Sequence, residues 1–276
     1  MSNFYERLLT SVFFVIVLLG SLLLSEFASS ILFFFIILLC QHEFYAFYKK
    51  TEIKPQRNIG MIGGVVFFLI NALTRLLNDG YSSLFLIIPL VFLIFIFELY
   101  RNRPHPLQNI GATILGIIYI AVPIALLHEL SYFDGESFSG EYSYHIVIGF
   151  FLVLWANDTG AYLIGRKFGK HKSFERISPK KTWEGTIGGA VLGIFTGYIC
   201  SLLFSTLSLP IWLCVAALIV IFGSLGDLVE SMFKRSLNIK DSGKILPGHG
   251  GVLDRFDGIF IAAPIIFTFL KSMQWW

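Results

Sequence analysis

Residues 210–230 read PIWLCVAALIVIFGSLGDLVE, and residues 231–257 follow without a break as SMFKRSLNIKDSGKILPGHGGVLDRFD. The first run is apolar and long enough to cross a bilayer as a helix. The second packs five Lys/Arg, three Asp, one His and four Gly into 27 residues, and then the chain turns apolar again. Charge this dense beside hydrocarbon is costly unless it does chemistry. Carboxylates suit hard cations such as magnesium, and Lys and Arg suit phosphates. Glycines let backbone N–H groups come close to a ligand. The stretch therefore reads as a metal-assisted phosphate site at a membrane surface.

The composition around it agrees. The 276 residues are 55% hydrophobic and 14% charged, with mean hydropathy +0.74. That balance belongs to integral membrane proteins. Cys40, Cys200 and Cys214 all lie inside apolar runs, match no metal knuckle, and read as buried small hydrophobes. The first apolar run has no clear small-residue cleavage site and reads as a retained helix rather than a signal peptide. The expected fold is all-α and polytopic. About nine spans of roughly 20 residues are expected, at 8–25, 29–48, 59–77, 81–100, 108–128, 144–165, 185–206, 210–230 and 256–272. The last is short for a span.

The loops after the second, fourth, sixth and eighth of these carry the positive charge. With Arg7 they hold 19 of the 21 Lys and Arg; Arg75 and Lys271 are the exceptions. The positive-inside rule puts that side, and the amino terminus, in the cytoplasm. The loop at 129–143 holds Glu129, Asp134, Glu136 and Glu141 with no Lys or Arg, as an outer loop can. The chain reads as one membrane domain, with supporting helices over 1–142 and a catalytic half over 143–276 that contains the loop 231–257.

Three constellations lie in that half. On a helix continued past 230, Asp227, Glu230, Ser231 and Lys234 form one stripe, and Gly223 and Gly226 just before it allow a close neighbour. A snorkelling helix end would explain Glu230 as well as function does; Asp227, deeper and beside a glycine, points to function. Asp254 and Asp257 share a face at i, i+3. A helix cap explains one of them. It does not explain two, and with Asp227 they form a set able to hold one or two divalent ions. Between them, residues 247–251 (PGHGG) read as a tight loop with positive-φ positions, but without Walker A spacing. His249, flanked by glycines, is its titratable member. The third constellation joins Asp158, inside an apolar span, to the run 177–185 (ISPKKTWEG). A basic patch for anionic lipid accounts for 167–176. It accounts less well for the run from Ser178 to Glu184, where Pro179, Trp183 and Glu184 interrupt the cations.

The loop resembles the signature of the phosphatidate cytidylyltransferases, the CDP-diacylglycerol synthases. That pattern is met by Ser231, Lys234-Arg235, Lys240-Asp241, Gly243, His249-Gly250-Gly251, Asp254-Arg255 and Asp257. Asp158-Thr159-Gly160-Ala161-Tyr162 and the run from Ser178 to Gly185 look like two further family motifs. The resemblance is specific over 155–257 and rests on hydropathy alone over 1–140. It implies a nucleotidyltransferase that makes CDP-diacylglycerol and pyrophosphate from CTP and phosphatidic acid. The cofactor it implies is magnesium, with room for a second cation, and Asp227, Asp254 and Asp257 are the expected metal ligands. Ser231, Lys234, Arg235, Lys240, Asp241, His249 and Arg255 are expected in the catalytic set. Asp158, Ser178, Lys180, Lys181, Thr182, Trp183, Gly250 and Gly251 are expected to bind substrate.

The expected setting is the plasma membrane, multi-pass, with the site facing the cytoplasm. Its expected partners are CTP, phosphatidic acid and membrane lipid, with a homodimer as a further expectation and no nucleic acid. Two other enzymes fit the same chemistry: one acting on archaeal ether lipid and a CTP-dependent polyprenol kinase. A cation-coupled transporter would place acids near the midplane of repeated halves; here they crowd one edge.

Overall fold

The computed structural model describes residues 2–76, 87–138, 141–243, 245–246 and 250–273. Among them the regular elements are helices apart from one small ribbon. It divides into two compact units, one of 1–125 with 236–256 and one of 126–235 with 257–276.

The first unit contains α1 (Ser2–Leu24), α2 (Glu26–Ala46), α3 (Arg57–Leu76), α4 (Ile87–Arg101) and α5 (Pro106–Gly116). The break between α1 and α2 is set locally. Ser25 is extended, and its side chain caps α2 by accepting from the Ala28 N–H at 3.1 Å. Helix α2 buries Ser29, Phe33, Ile36, Ile37, Cys40 and Phe44, the 3.6-residue stripe of a core helix. Several polar groups inside this apolar unit bond across its helices. Gln41 donates to the carbonyls of Gly60 and Gly116, both at 3.1 Å, and the Tyr45 hydroxyl donates to that of Thr113 at 2.7 Å. Glu98 gathers three donors, Asn109, Gln56 and Arg101, each at 2.7 Å. That cluster joins α4 and α5 to the turn before α3.

Past α5 a π-turn, Ile117–Ala121, leads into α6 (Val122–Glu129). The second unit continues with α7 (His145–Phe168), strands β1 (Lys172–Phe174) and β2 (Ser178–Thr182), α8 (Trp183–Leu203) and α9 (Leu209–Ser236). The signature loop with its short α10 (Leu253–Phe256) belongs to the first unit, and α11 (Ile259–Ser272) returns to the second. Helix α8 buries Gly185, Gly189, Gly193 and Gly197, one every fourth residue. The backbones of α7 and α8 meet along this stripe: a methyl on Gly160 would lie 2.9 Å from the Gly188 carbonyl, and one on Gly189 2.6 Å from that of Asn157. Small residues that bring helices into contact are the usual adhesive of membrane bundles.

Five helical segments of the described residues are long and apolar enough to cross a membrane: Glu26–Lys50, Pro106–Tyr132, His145–Phe168, Trp183–Leu203 and Leu209–Ser236. Each overlays an expected span. Helices α1 and α3 carry the shorter apolar stretches Leu9–Leu24 and Arg57–Ala72. The fourth expected span falls partly on 77–86, outside the described residues.

The helical fold carries one addition: the basic loop after α7 pairs β1 with β2 in an antiparallel ribbon. Glu184 fixes the ribbon's base, accepting from the N–H groups of Lys170 and His171 and from the His171 ring at 2.6 Å. Cys40 and Cys200 are buried as expected, whereas Cys214 is exposed on the apolar surface of α9.

Candidate active site

Helix α9 carries its charged stripe as the spacing predicts. Ser231 Oγ donates to Asp227 at 3.3 Å, one turn back, and Lys234 Nζ lies 3.0 Å from Glu230. Glu230 is fully buried and Lys234 nearly so. A solvated helix end does not look like this: a buried carboxylate on a buried cation is held there by its surroundings.

Gly223 and Gly226 have the close neighbour that their size allows. It is the turn 257–258 that opens α11. A methyl on Gly226 would stand 2.7 Å from the Asp257 carbonyl and 3.0 Å from Gly258 Cα; one on Gly258 would stand 3.2 Å from the Gly223 carbonyl. This backbone contact sets Asp257 against the acidic end of α9. The charges of Asp227, Glu230 and Asp158 all act on it, and its own carboxylate also accepts from the Gly258 N–H at 2.7 Å. Four carboxylates from three helical segments thus share one neighbourhood.

The ribbon supplies a counter-charge. Lys181, on β2, places Nζ 2.6 Å from Asp227 and 3.4 Å from the Ser224 carbonyl. Its neighbour Thr182 is buried and caps α8, accepting from the Gly185 N–H at 3.2 Å. Lys180 and Trp183 are exposed, and Ser178 is half-buried. On α7, the buried Asn157 amide donates to Ser224 at 3.2 Å, while the adjacent Asp158 is exposed. The donor chemistry, several carboxylate oxygens at a polar helix end, fits a hard divalent ion. Among the described residues no three His, Cys, Asp or Glu side chains form a ready-made coordination shell, and Lys181 engages one Asp227 oxygen.

In the other unit the signature loop is built around two carboxyl groups. Asn238, at φ 54°, ends α9 in the left-handed conformation that Asn tolerates. Asp254 accepts from the N–H groups of Ser242 and Gly251, at 3.1 and 3.0 Å. Gly250 sits at φ 85°, and its carbonyl accepts from the Leu246 N–H at 3.1 Å. A methyl there would also stand 3.0 Å from the Asp254 carboxylate, so only glycine suits both demands. Arg235, Lys240, Asp241 and Arg255 are exposed, and Gly251 is buried. His249 lies outside the described residues.

The second carboxyl group of the loop comes from α2. Glu43 is buried and accepts from Ser242 Oγ at 3.0 Å and from the Leu253 N–H at 2.8 Å. Sequence reasoning passed over it. The available signal was the polar triple Gln41-His42-Glu43 inside an otherwise apolar span.

The chain matches the model of the cytidylyltransferase family over residues 5–273. It is 50% identical over 131 residues to a phosphatidate cytidylyltransferase of Staphylococcus haemolyticus, a segment covering 47% of this chain and 50% of that protein. It is 35% identical over 182 residues to the protein of the same name from Staphylococcus saprophyticus, covering 65% of this chain and 66% of that one. A Staphylococcus epidermidis protein of that name is 51% identical over 118 residues, 42% of this chain and 45% of its own length. The chain spans 45% to 66% of the length of these curated relatives. With the family model covering nearly every residue, the chain belongs to the cytidylyltransferase family.

Proposed function

We propose that this protein joins the phosphate of phosphatidic acid to the α-phosphorus of CTP, giving CDP-diacylglycerol and pyrophosphate. The observation that carries the reading is Lys181 seated on Asp227 amid Asp158, Glu230 and Asp257. This is a cluster of anion- and cation-binding groups at the end of an apolar helix, in a chain of the cytidylyltransferase family. Relatives named phosphatidate cytidylyltransferase support the choice of lipid.

The chemistry asks for positioning more than for proton transfer. A phosphate monoester has its second pKa at about 6, so a lipid phosphate is mostly a dianion near neutral pH. One of its oxygens attacks the α-phosphorus, the bond from that phosphorus to the bridging oxygen of the β-phosphate breaks, and pyrophosphate leaves with the electron pair. Catalysis then consists of holding two anions together and neutralising the charge that gathers on the leaving group. Lys181, Arg235, Lys240 and Arg255 are the proposed cations for this, with Lys180 and Trp183 placing the nucleotide. A bound magnesium ion would supply charge neutralisation at the phosphates, and Asp227 and Asp257 are the proposed residues to hold it. Asp254, a third ligand in the sequence reading, is proposed to be essential as well: Asp254→Asn is expected to nearly abolish CDP-lipid formation in protein that still folds and inserts, and an active variant would remove it from the proposed site.

The proposed topology has nine spans, the amino terminus and both basic loops in the cytoplasm, and the site at the cytoplasmic face of the plasma membrane; the charge alternation along the chain supports it. Purified protein in lipid nanodiscs, given labelled CTP and phosphatidic acid, is expected to form a CDP-lipid and to stop when a chelator is added. Equal use of ATP, an unchanged rate with chelator, or use of a polyprenol in place of phosphatidic acid would overturn the reading.

A further inference from the structure

The loop that carries the family signature is fastened from below by a helix that carries none of the signature residues. Helix α2 rises as an apolar stripe and ends in a polar segment, Gln41 to Tyr45. Gln41 and Tyr45 are accounted for by their bonds to α3 and α5. Glu43 is not used by that packing. Its carboxyl leaves α2 and reaches the loop, where Oε2 accepts from the Ser242 hydroxyl and from the Leu253 N–H.

Those two donors bracket the loop: Ser242 follows Asp241, and Leu253 opens α10 immediately before Asp254. The contact is close on all sides. A methyl at Gly243 or at Gly251 would run into the Glu43 carboxyl. Both signature glycines therefore leave room for this side chain. Ser242 is buried and bonds Glu43 with its hydroxyl and Asp254 with its N–H. The order from the membrane helix outward is Glu43, then Ser242, then Asp254. A carboxyl group that is 2% exposed in an apolar unit is a costly choice for mere packing. Leucine would fill the space, but would leave the Ser242 hydroxyl and the Leu253 N–H without an acceptor.

We infer that Glu43 is a positioning residue for the reaction: from the end of α2 it holds Ser242 and Leu253, and so aims their neighbours Asp241, Asp254 and Arg255. This rests on the activity proposed above. It gives α2 a role in catalysis and explains why two of the signature glycines cannot be larger.

The test uses the full chain in nanodiscs, with Cys214→Ser as background. A nitroxide on Ile245→Cys, an exposed loop position, reports loop order whether or not the protein turns over substrate. Glu43→Leu is expected to lower kcat about 100-fold and to narrow the nitroxide spectrum as the loop loosens. Glu43→Gln keeps an oxygen for both donors and is expected to restore kcat to within about tenfold, with the parent spectrum. Ser242→Ala removes one of the two contacts without burying a charge; it is expected to lower kcat about tenfold and to broaden the range of loop motion, and it decides the matter if Glu43→Leu does not fold. Glu43→Leu with near-parent kcat, or with lost activity and an unchanged spectrum, overturns the inference. A parent protein that makes no CDP-lipid overturns the proposed activity instead, and the nitroxide spectra still decide whether Glu43 orders the loop.

Discussion

Gly226→Ala adds a single methyl group to α9, and the structure fixes where it must go. It would stand 2.7 Å from the Asp257 carbonyl oxygen, 3.0 Å from Gly258 Cα and 3.1 Å from the Gly258 carbonyl oxygen. All three are backbone atoms, so no rotamer change relieves the contact. Carbon atoms in good contact are about 3.5 Å or more apart, so the turn 257–258 has to retreat from α9 by roughly 0.5–1 Å. Overpacking of this kind costs about 1–3 kcal/mol, partly offset by the better helix propensity of alanine, about 1 kcal/mol. The net loss of stability is therefore small, about 1 kcal/mol. The catalytic effect is expected to be larger, because Asp257 moves with the turn, and a displacement near 1 Å can cost about 100-fold in rate. The assay pairs the steady-state rate of CDP-lipid formation with thermal unfolding in the same nanodiscs. Gly111→Ala serves as control, since a methyl there meets nothing within 4 Å; it should leave the rate unchanged and raise stability slightly. A Gly226→Ala protein with the parent's rate would refute the view that the contact between α9 and the turn places Asp257 for catalysis.

Four further outcomes are expected. Lys181→Ala should lower turnover strongly while changing stability by less than about 1 kcal/mol, because both it and Asp227 are partly exposed; an equal loss in both measurements would make it a structural residue. Asp257→Asn, which keeps the shape and removes the charge, should nearly abolish turnover in protein that still inserts and folds by circular dichroism, and an active variant would remove it from the site. Glu98→Ala leaves the Asn109 and Gln56 amides and Arg101 without their shared acceptor, so it should destabilise the protein by about 3 kcal/mol, seen as faster thermal inactivation with an unchanged rate at low temperature. Cysteines at the exposed positions 172 and 136 should label from opposite sides of intact cells; labelling from one side would break the proposed topology.

The parts of this protein legible in its sequence are those whose cause is local. The long apolar runs give α2, α7, α8 and α9, because twenty apolar residues in a bilayer have no other way to satisfy their backbone. The stripe from Asp227 to Lys234 is a matter of helical periodicity, and it is found as the spacing requires. The small size of Gly226 predicts a close neighbour, but only the fold names it as Asp257. The ribbon of β1 and β2 was hidden by its charge. Lys167, Lys170, Lys172 and Arg176 read as a patch for lipid headgroups, and nothing local marks Lys172 as a partner for Thr182 or Glu184 as the acceptor at the ribbon's base.

Glu43 shows the harder limit. Its bonds to Ser242 and Leu253 span 199 and 210 positions along the chain, and no periodicity or spacing rule connects such distant residues. What the sequence does contain is an energetic anomaly, a carboxyl group inside an apolar span. Such a group must find donors or be removed, since hydrocarbon offers it none. Gly243 and Gly251 are the counterpart of that anomaly, since a side chain at either would run into the Glu43 carboxyl. Read apart, the glutamate suggests a functional residue and the glycines suggest turns. Read together, with the glycines leaving room for the carboxyl group, they show that a signature confined to one loop depends on a helix nearly two hundred residues earlier.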